Sequence, residues 1–104
     1  MAVRPPSVGL GGDGDEIDAI EDVERTLGIR LDISDAGNWH TAGDVFRSVV
    51  ASMPASEHAD PDLWARFATA LCATTGVDPR RIEPASPLLS QTHLTLWPFT
   101  RRLR

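Results

Sequence analysis

The sequence has a single cysteine, no lysine and no long apolar run. One cysteine, Cys72, excludes an internal disulfide and is typical of a reducing compartment. It lies within an apolar helical pattern, which favours a buried small hydrophobic side chain over a nucleophile. No stretch is long and apolar enough to cross a membrane, and residues 1–7 lack the apolar core of a signal peptide. We therefore expect a cytoplasmic protein with no membrane span.

Basic residues are few and unevenly placed. The net charge is -5 over 104 residues, which argues against nucleic acid as a partner. Residues 1–50 hold ten acidic side chains and four arginines, whereas residues 51–104 hold five acidic side chains and six arginines. The sequence therefore predicts an acidic surface in its first half and a mildly basic C-terminal tail.

Three segments carry apolar residues at helical spacing, and none alternates with period two for long enough to indicate a sheet. We expect helices over residues 13–27, 42–53 and 61–75. Their apolar stripes are Ile17, Ile20, Val23 and Leu27, then Val45, Phe46, Val49, Val50 and Met53, then Leu63, Trp64, Phe67, Leu71 and Cys72. Because no such helix can bury its stripe alone, the predicted fold class is all-α, a small bundle of three to four helices.

The ends of the helices carry recognisable capping signals. Asp13 and Glu16 have the spacing of an N-terminal cap, and so do Thr41 and Asp44. Pro61 suits the first position of the third helix. Residues 32–40 are predicted to form a loop or a short helical turn.

The chain divides into an arm, a domain and a tail. Prolines and a glycine predict a flexible arm over residues 1–9, and residues 10–92 form the single helical domain. The tail, residues 93–104, is apolar and then basic, and its candidate contact residues are Trp97, Phe99, Arg101 and Arg102. It could fold back on the bundle, dock on a partner or touch an anionic surface. It could also neutralise the acidic helix of its own or a neighbouring chain, which would support a weak homodimer.

Residues 10–29 read Leu-Gly-Gly-Asp-Gly-Asp-Glu-Ile-Asp-Ala-Ile-Glu-Asp-Val-Glu-Arg-Thr-Leu-Gly-Ile, a glycine-rich loop that leads into an acidic amphipathic helix. This segment resembles the central recognition helix of acyl carrier proteins. Residues 41–50 are similar to the capped final helix of that family, and residues 63–89 to its opening helix and long loop. Because the opening helix comes last, the resemblance implies a circular permutation in which residues 54–62 join the former termini.

The resemblance fails at the residue that carries the family's chemistry. The serine that bears phosphopantetheine in carriers should fall at Asp13 or Gly14, and neither has a hydroxyl. Ser7 and Ser90 flank the permuted loop, but neither stands in an Asp-Ser-Leu context. The resemblance therefore implies a domain with no prosthetic group and no cofactor.

The strongest candidate site is the face of the first helix that holds Asp15, Asp18, Asp22 and Arg25. In carriers the matching helix docks onto a basic patch of a partner protein, and such charge complementarity gives fast and specific encounters. We expect a non-enzymatic interaction or accessory module that uses this face. The alternatives are a carrier modified at an unconventional serine, a small acyl- or lipid-binding protein, and a helix face that is merely solvated.

Other motifs carry less weight. Residues 9–14 match a dinucleotide-binding glycine pattern, but no strand precedes them and the acidic residues that follow would repel a pyrophosphate. A calcium loop that begins at Asp13 lacks the glycine required at its sixth position. The three histidines lack metal-ligand spacing, and no catalytic pair is evident. We therefore predict neither a metal site nor an enzyme.

Overall fold

The computed structural model describes residues 6–11 and 15–89. In chain order its elements are α1 (Asp15–Leu27), a 3₁₀ helix (Ile33–Asn38), α2 (Ala42–Ala51), a 3₁₀ helix (Ala55–Glu57), α3 (Leu63–Cys72) and a 3₁₀ helix (Pro79–Arg81). Within the described residues there is no strand, only two isolated β-bridges. The all-α prediction is therefore confirmed.

The core lies between α1 and α3, and α2 packs across α3. Phe46 of α2 joins Trp64 and Phe67 of α3 in an aromatic cluster, with ring centroids 5.0 to 5.3 Å apart. Such tilted and edge-on contacts add to the stabilisation that comes from burial alone. The predicted stripes thus meet in one apolar interior, with their outer members Phe46, Val50 and Trp64 only partly buried. No helix in the described part of the chain is long and apolar enough to cross a membrane.

The helix boundaries differ from the predicted ones by a few residues. In the described chain α1 begins at Asp15, and its buried face includes Glu16, at 1% exposure, whereas Ile17 is only partly buried. Pro61 is not the first residue of α3, because Leu63 donates its backbone N–H to Asp60 across a turn, at 3.1 Å. Sequence periodicity finds the centre of a helix better than its ends, since turn hydrogen bonds compete there.

The cap predicted for α2 is confirmed. The Thr41 hydroxyl accepts from the Asp44 backbone N–H at 3.2 Å, and the Asp44 carboxylate accepts from the Thr41 N–H at 3.0 Å. The His40 N–H donates to the same carboxylate oxygen at 3.0 Å, and Arg47 pairs with its other oxygen. Partial burial acts to raise the pKa of Asp44, but these donors and the Arg47 charge together lower it.

The Asp44 cap predicts a loss of stability in acid. Because its pKa in the folded protein lies below the ordinary 3.8, its contribution is fully present above that value and is lost as pH falls through the lower, folded pKa. We expect Asp44→Asn to lower the free energy of unfolding at pH 7 and to flatten its fall between pH 5 and pH 2. Chemical denaturation at several pH values measures this. Equal pH profiles for the variant and the parent would contradict it.

Residues 84–89 form an extended clasp between the segment before α1 and the start of α2. On one side Val8 donates its N–H to Pro87 at 2.8 Å, and Leu10 donates to Leu88 at 3.0 Å. On the other side the N–H groups of Leu88, Ala42 and Gly43 complete backbone hydrogen bonds to His40, Ser86 and Pro84. Residues 6–9, which the sequence assigned to the flexible arm, therefore lie against the fold, and Val8 is fully buried.

Gly43 is where the clasp comes closest to α2. A Cβ atom there would lie 2.8 Å from the Pro84 carbonyl oxygen, and that oxygen already accepts the Gly43 N–H. We expect Gly43→Ala to lower the free energy of unfolding by about 1–3 kcal/mol, because the obstructing atoms are backbone. Urea denaturation measures this loss of stability. Gly28→Ala is the control, because Gly28 has a left-handed backbone (φ 67°) but no atom within 4 Å of the added Cβ. Unchanged stability in Gly43→Ala would contradict the close approach.

Candidate functional site

The outward face of α1 carries two exposed acidic side chains that form no ion pair within the described residues. The helix holds six acidic residues and one arginine. Asp18 and Glu21, one turn apart, are exposed, and neither has a hydrogen bond or ion pair to another residue among those described. We call Asp18, Glu21, Asp22 and Arg25 the acidic face. Asp15 begins the helix, but its side chain lies outside what the structure describes.

Two of the predicted site residues, Asp22 and Arg25, already have partners within the chain. Arg25 forms an ion pair with Asp22, one turn before it. The Thr74 hydroxyl, in the turn after α3, lies 3.4 Å from the other Asp22 oxygen. Asp22 therefore already contacts Arg25 and the turn after α3, and the free negative charge of the face belongs to Asp18 and Glu21. Glu21 was missing from the predicted set, although its spacing of three from Asp18 could have identified it.

A groove runs beside the acidic face, between α1 and the chain that follows it. We call it the α1 groove; its volume is about 370 Å³, and its lining is Ile17, Ile20, Glu21, Glu24, Arg30, Leu31 and Ile33. Glu24 bridges its walls by accepting the Leu31 backbone N–H at 2.8 Å. The groove thus has an apolar floor and a polar rim that includes Glu21 of the acidic face.

A second, polar hollow of about 250 Å³ lies between the first 3₁₀ helix and α2. There the buried Trp39 indole N–H donates to the Ser48 hydroxyl at 2.9 Å, and Ser48 in turn donates to Asp35 at 3.2 Å. No histidine lines this hollow, and Asp35 is the carboxylate that the Ser48 hydroxyl contacts. This chain of hydrogen bonds connects the first 3₁₀ helix to α2.

Cys72 is buried, and His58 contacts the backbone. Burial raises the pKa of the Cys72 thiol, and the nearby Asp78 charge adds to that shift. The thiol is therefore protonated near neutral pH, in keeping with its predicted packing role. The His58 Nε2 lies 3.0 Å from the Met53 carbonyl oxygen. Among the described residues no group of three or more His, Cys, Asp or Glu is placed to hold a metal ion.

The expected attachment positions are only partly described. Asp13, Gly14 and Ser90 fall outside the described residues, and so do the four tail residues, Trp97, Phe99, Arg101 and Arg102. Ser7 is described, and its hydroxyl donates to the Leu89 carbonyl and accepts the Gly9 N–H, both at 2.9 Å. Ser7 thus holds its segment against the clasp, because its hydroxyl both donates and accepts a hydrogen bond.

The chain matches no protein-family model, no curated protein and no solved structure.

Proposed function

We propose that this chain is a non-enzymatic, acyl-carrier-like interaction module that docks its acidic face onto a basic patch of a partner protein. The observation that carries the proposal is the charge of α1, where Asp18 and Glu21 point outward with no basic partner among the described residues. Like charges crowded on one helix face destabilise it slightly. A cationic partner would relieve that repulsion and accelerate association.

The proximity of the two described chain ends supports the permuted order. Residues 6–10 and 84–89 lie side by side through the clasp. In a carrier-like bundle both segments would belong to one long loop, which a permutation opens. The polar turn at 54–62 would then be the new connection between α2 and α3. These placements fit the proposal, and so does the absence of an alcohol at positions 13 and 14.

Charge reversal tests the docking role. We expect Asp18→Arg combined with Glu21→Arg to remove a co-purifying partner from a tagged protein isolated gently from the cells that make it. Neither side chain holds the fold together, so the helical circular dichroism and the melting temperature should change little. Asp22 stays intact in this variant because its contacts with Arg25 and Thr74 are structural.

The matched control is Glu57→Arg combined with Glu83→Arg. Both residues are exposed acids that lie away from α1, so the total change in charge is the same. The proposal requires the control to retain the partner while the α1 variant loses it. Equal retention by both variants would show that this face does not bind, and equal loss would show a dependence on net charge alone.

A carrier modified at an unconventional serine remains the chief alternative. Because the Ser7 oxygen is occupied in the clasp, Ser90 is the serine that this alternative would use. Intact-mass measurement after co-expression with a phosphopantetheinyl transferase decides between the two functions. We expect the unmodified mass; the addition of one phosphopantetheine would replace the interaction module by a carrier.

The α1 groove favours a small acyl or lipid ligand as a second candidate function. Its volume of about 370 Å³ is within the range of small-molecule sites, and isoleucine and leucine form its floor. Native mass spectrometry of freshly purified protein would detect a retained ligand, and Ile33→Glu should then abolish its retention.

A further inference from the structure

We propose that the α1 groove binds the chain's own C-terminal segment, residues 94–104. The segment's aromatic residues would lie on the apolar floor, with its arginines against the acidic rim. This contact would place the tail beside Glu21 and so in competition with any partner of the acidic face. The proposal does not rest on the proposed function, because it concerns a contact within one chain.

The groove has apolar surface that the described residues leave uncovered. Ile17 and Ile33 pack against the core but stay partly exposed, and Ile20 and Leu31 lie buried beneath them. Such a concave apolar strip gains free energy when an aromatic side chain displaces water from it. The groove therefore suits an occupant with large apolar side chains.

The rim of the groove selects the charge of its occupant. Glu21 and Glu24 stand on the α1 side, and Arg30 is the one cation in the lining. Asp18 adds a further exposed acid one turn from Glu21. The combined field on this side is negative, so a basic peptide is attracted and an acidic one is repelled.

The C-terminal segment has both properties. Residues 94–104 read Leu-Thr-Leu-Trp-Pro-Phe-Thr-Arg-Arg-Leu-Arg, with apolar residues first and three arginines afterwards. No acidic residue occurs between 90 and 104. Tryptophan, phenylalanine and arginine are the side chains that most often anchor an interface. The segment thus complements the groove both in apolar character and in charge.

The chain leaves the clasp within reach of the groove. Leu89 pairs with Leu10, five residues before α1 begins. Residues 90–104 can span up to about 50 Å when extended, whereas α1 is about 20 Å long. Tethering also gives the segment an effective concentration on the order of millimolar, so a weak contact suffices.

A hollow lined by Trp64 is a poorer match. It lies between α3 and the last 3₁₀ helix, has a volume of about 110 Å³, and is lined by Trp64, Ala65, Thr69, Pro79 and Arg80. Its charged residue is an arginine, which repels the arginines of the tail. This hollow serves as the internal control for the experiment.

The test is paramagnetic relaxation enhancement in the full-length chain. Thr100→Cys introduces a labelling site in the tail, and a nitroxide is attached there. The native Cys72 is buried and its thiol pKa is raised, so it should stay unlabelled, as intact mass will verify. We expect the strongest broadening at the backbone amide signals of Ile17, Glu21 and Ile33, and clearly weaker broadening at Thr69. Adding Trp97→Ala and Phe99→Ala should reduce this broadening at least fivefold.

A mixing experiment makes the outcome decisive. Mixing nitroxide-labelled chains that carry no isotope with unlabelled ¹⁵N chains reports contacts between copies, and we expect no broadening there. Broadening in that mixture, stronger broadening around Trp64 and Arg80 than around the α1 groove, or no selective broadening would each overturn the proposal. A retained small ligand in the groove that persists alongside an undocked tail would overturn it as well.

Discussion

Replacing Trp39 by alanine should lower the free energy of unfolding by about 3–5 kcal/mol, the largest effect that we expect from one substitution. Trp39 is 1% exposed and is the largest of the fully buried side chains. Its removal would leave a cavity between the first 3₁₀ helix and α2. It would also remove the donor that the Ser48 hydroxyl accepts at 2.9 Å. Because small domains are stable by only about 5–15 kcal/mol, the variant should be close to unfolding at physiological temperature.

Trp64→Ala is the matched control. Trp64 is only half buried, although its ring contacts Phe46 and Phe67. We expect it to cost clearly less than Trp39→Ala when both are measured by urea denaturation and circular dichroism. Equal losses would mean that the indole of Trp39 does not hold α2 to the preceding turn.

Leu88→Ala should lower the free energy of unfolding by about 2–5 kcal/mol, because this side chain anchors the clasp in the core. Leu88 is 1% exposed, and its backbone connects both neighbours by accepting from Leu10 and donating to His40. The substitution preserves the backbone, so it isolates the contribution of the side chain. We further expect faster hydrogen exchange at the Leu10 amide.

Leu89→Ala provides the comparison for that prediction. Leu89 is adjacent and only partly buried. A smaller loss of stability and unchanged exchange at the Leu10 amide are expected. If Leu89→Ala proved the more damaging of the two, the assignment of Leu88 as the anchor of the clasp would be wrong.

The parts of the fold that depend on local pattern could be predicted from the sequence. The stripes locate all three helices because apolar residues at a spacing of three and four must face one interior. The cap at Thr41 and Asp44 could be predicted for the same reason, since its hydrogen bonds join residues three apart. Side-chain types at fixed spacing are sufficient in these cases.

The clasp could not be predicted in this way. Its backbone hydrogen bonds join residues 41 to 79 positions apart, and each of its two bridges involves a single pair, too short to leave an alternating pattern. The burial of Glu16 was missed because acids in a first turn normally serve the helix dipole. For the site, sequence spacing placed Asp18 correctly on an exposed face. It could not reveal that Thr74, far along the chain, contacts Asp22.

Site-specific photo-crosslinking tests most directly whether a partner contacts the acidic face of α1, with a crosslinking amino acid placed at Arg25 or, as a control, at Arg81. Both are exposed arginines, and only Arg25 lies on the acidic face. We expect a discrete, salt-sensitive crosslinked adduct from position 25 in living cells and none from position 81. An adduct from position 81 alone, equal adducts from both positions, or none from either would contradict it.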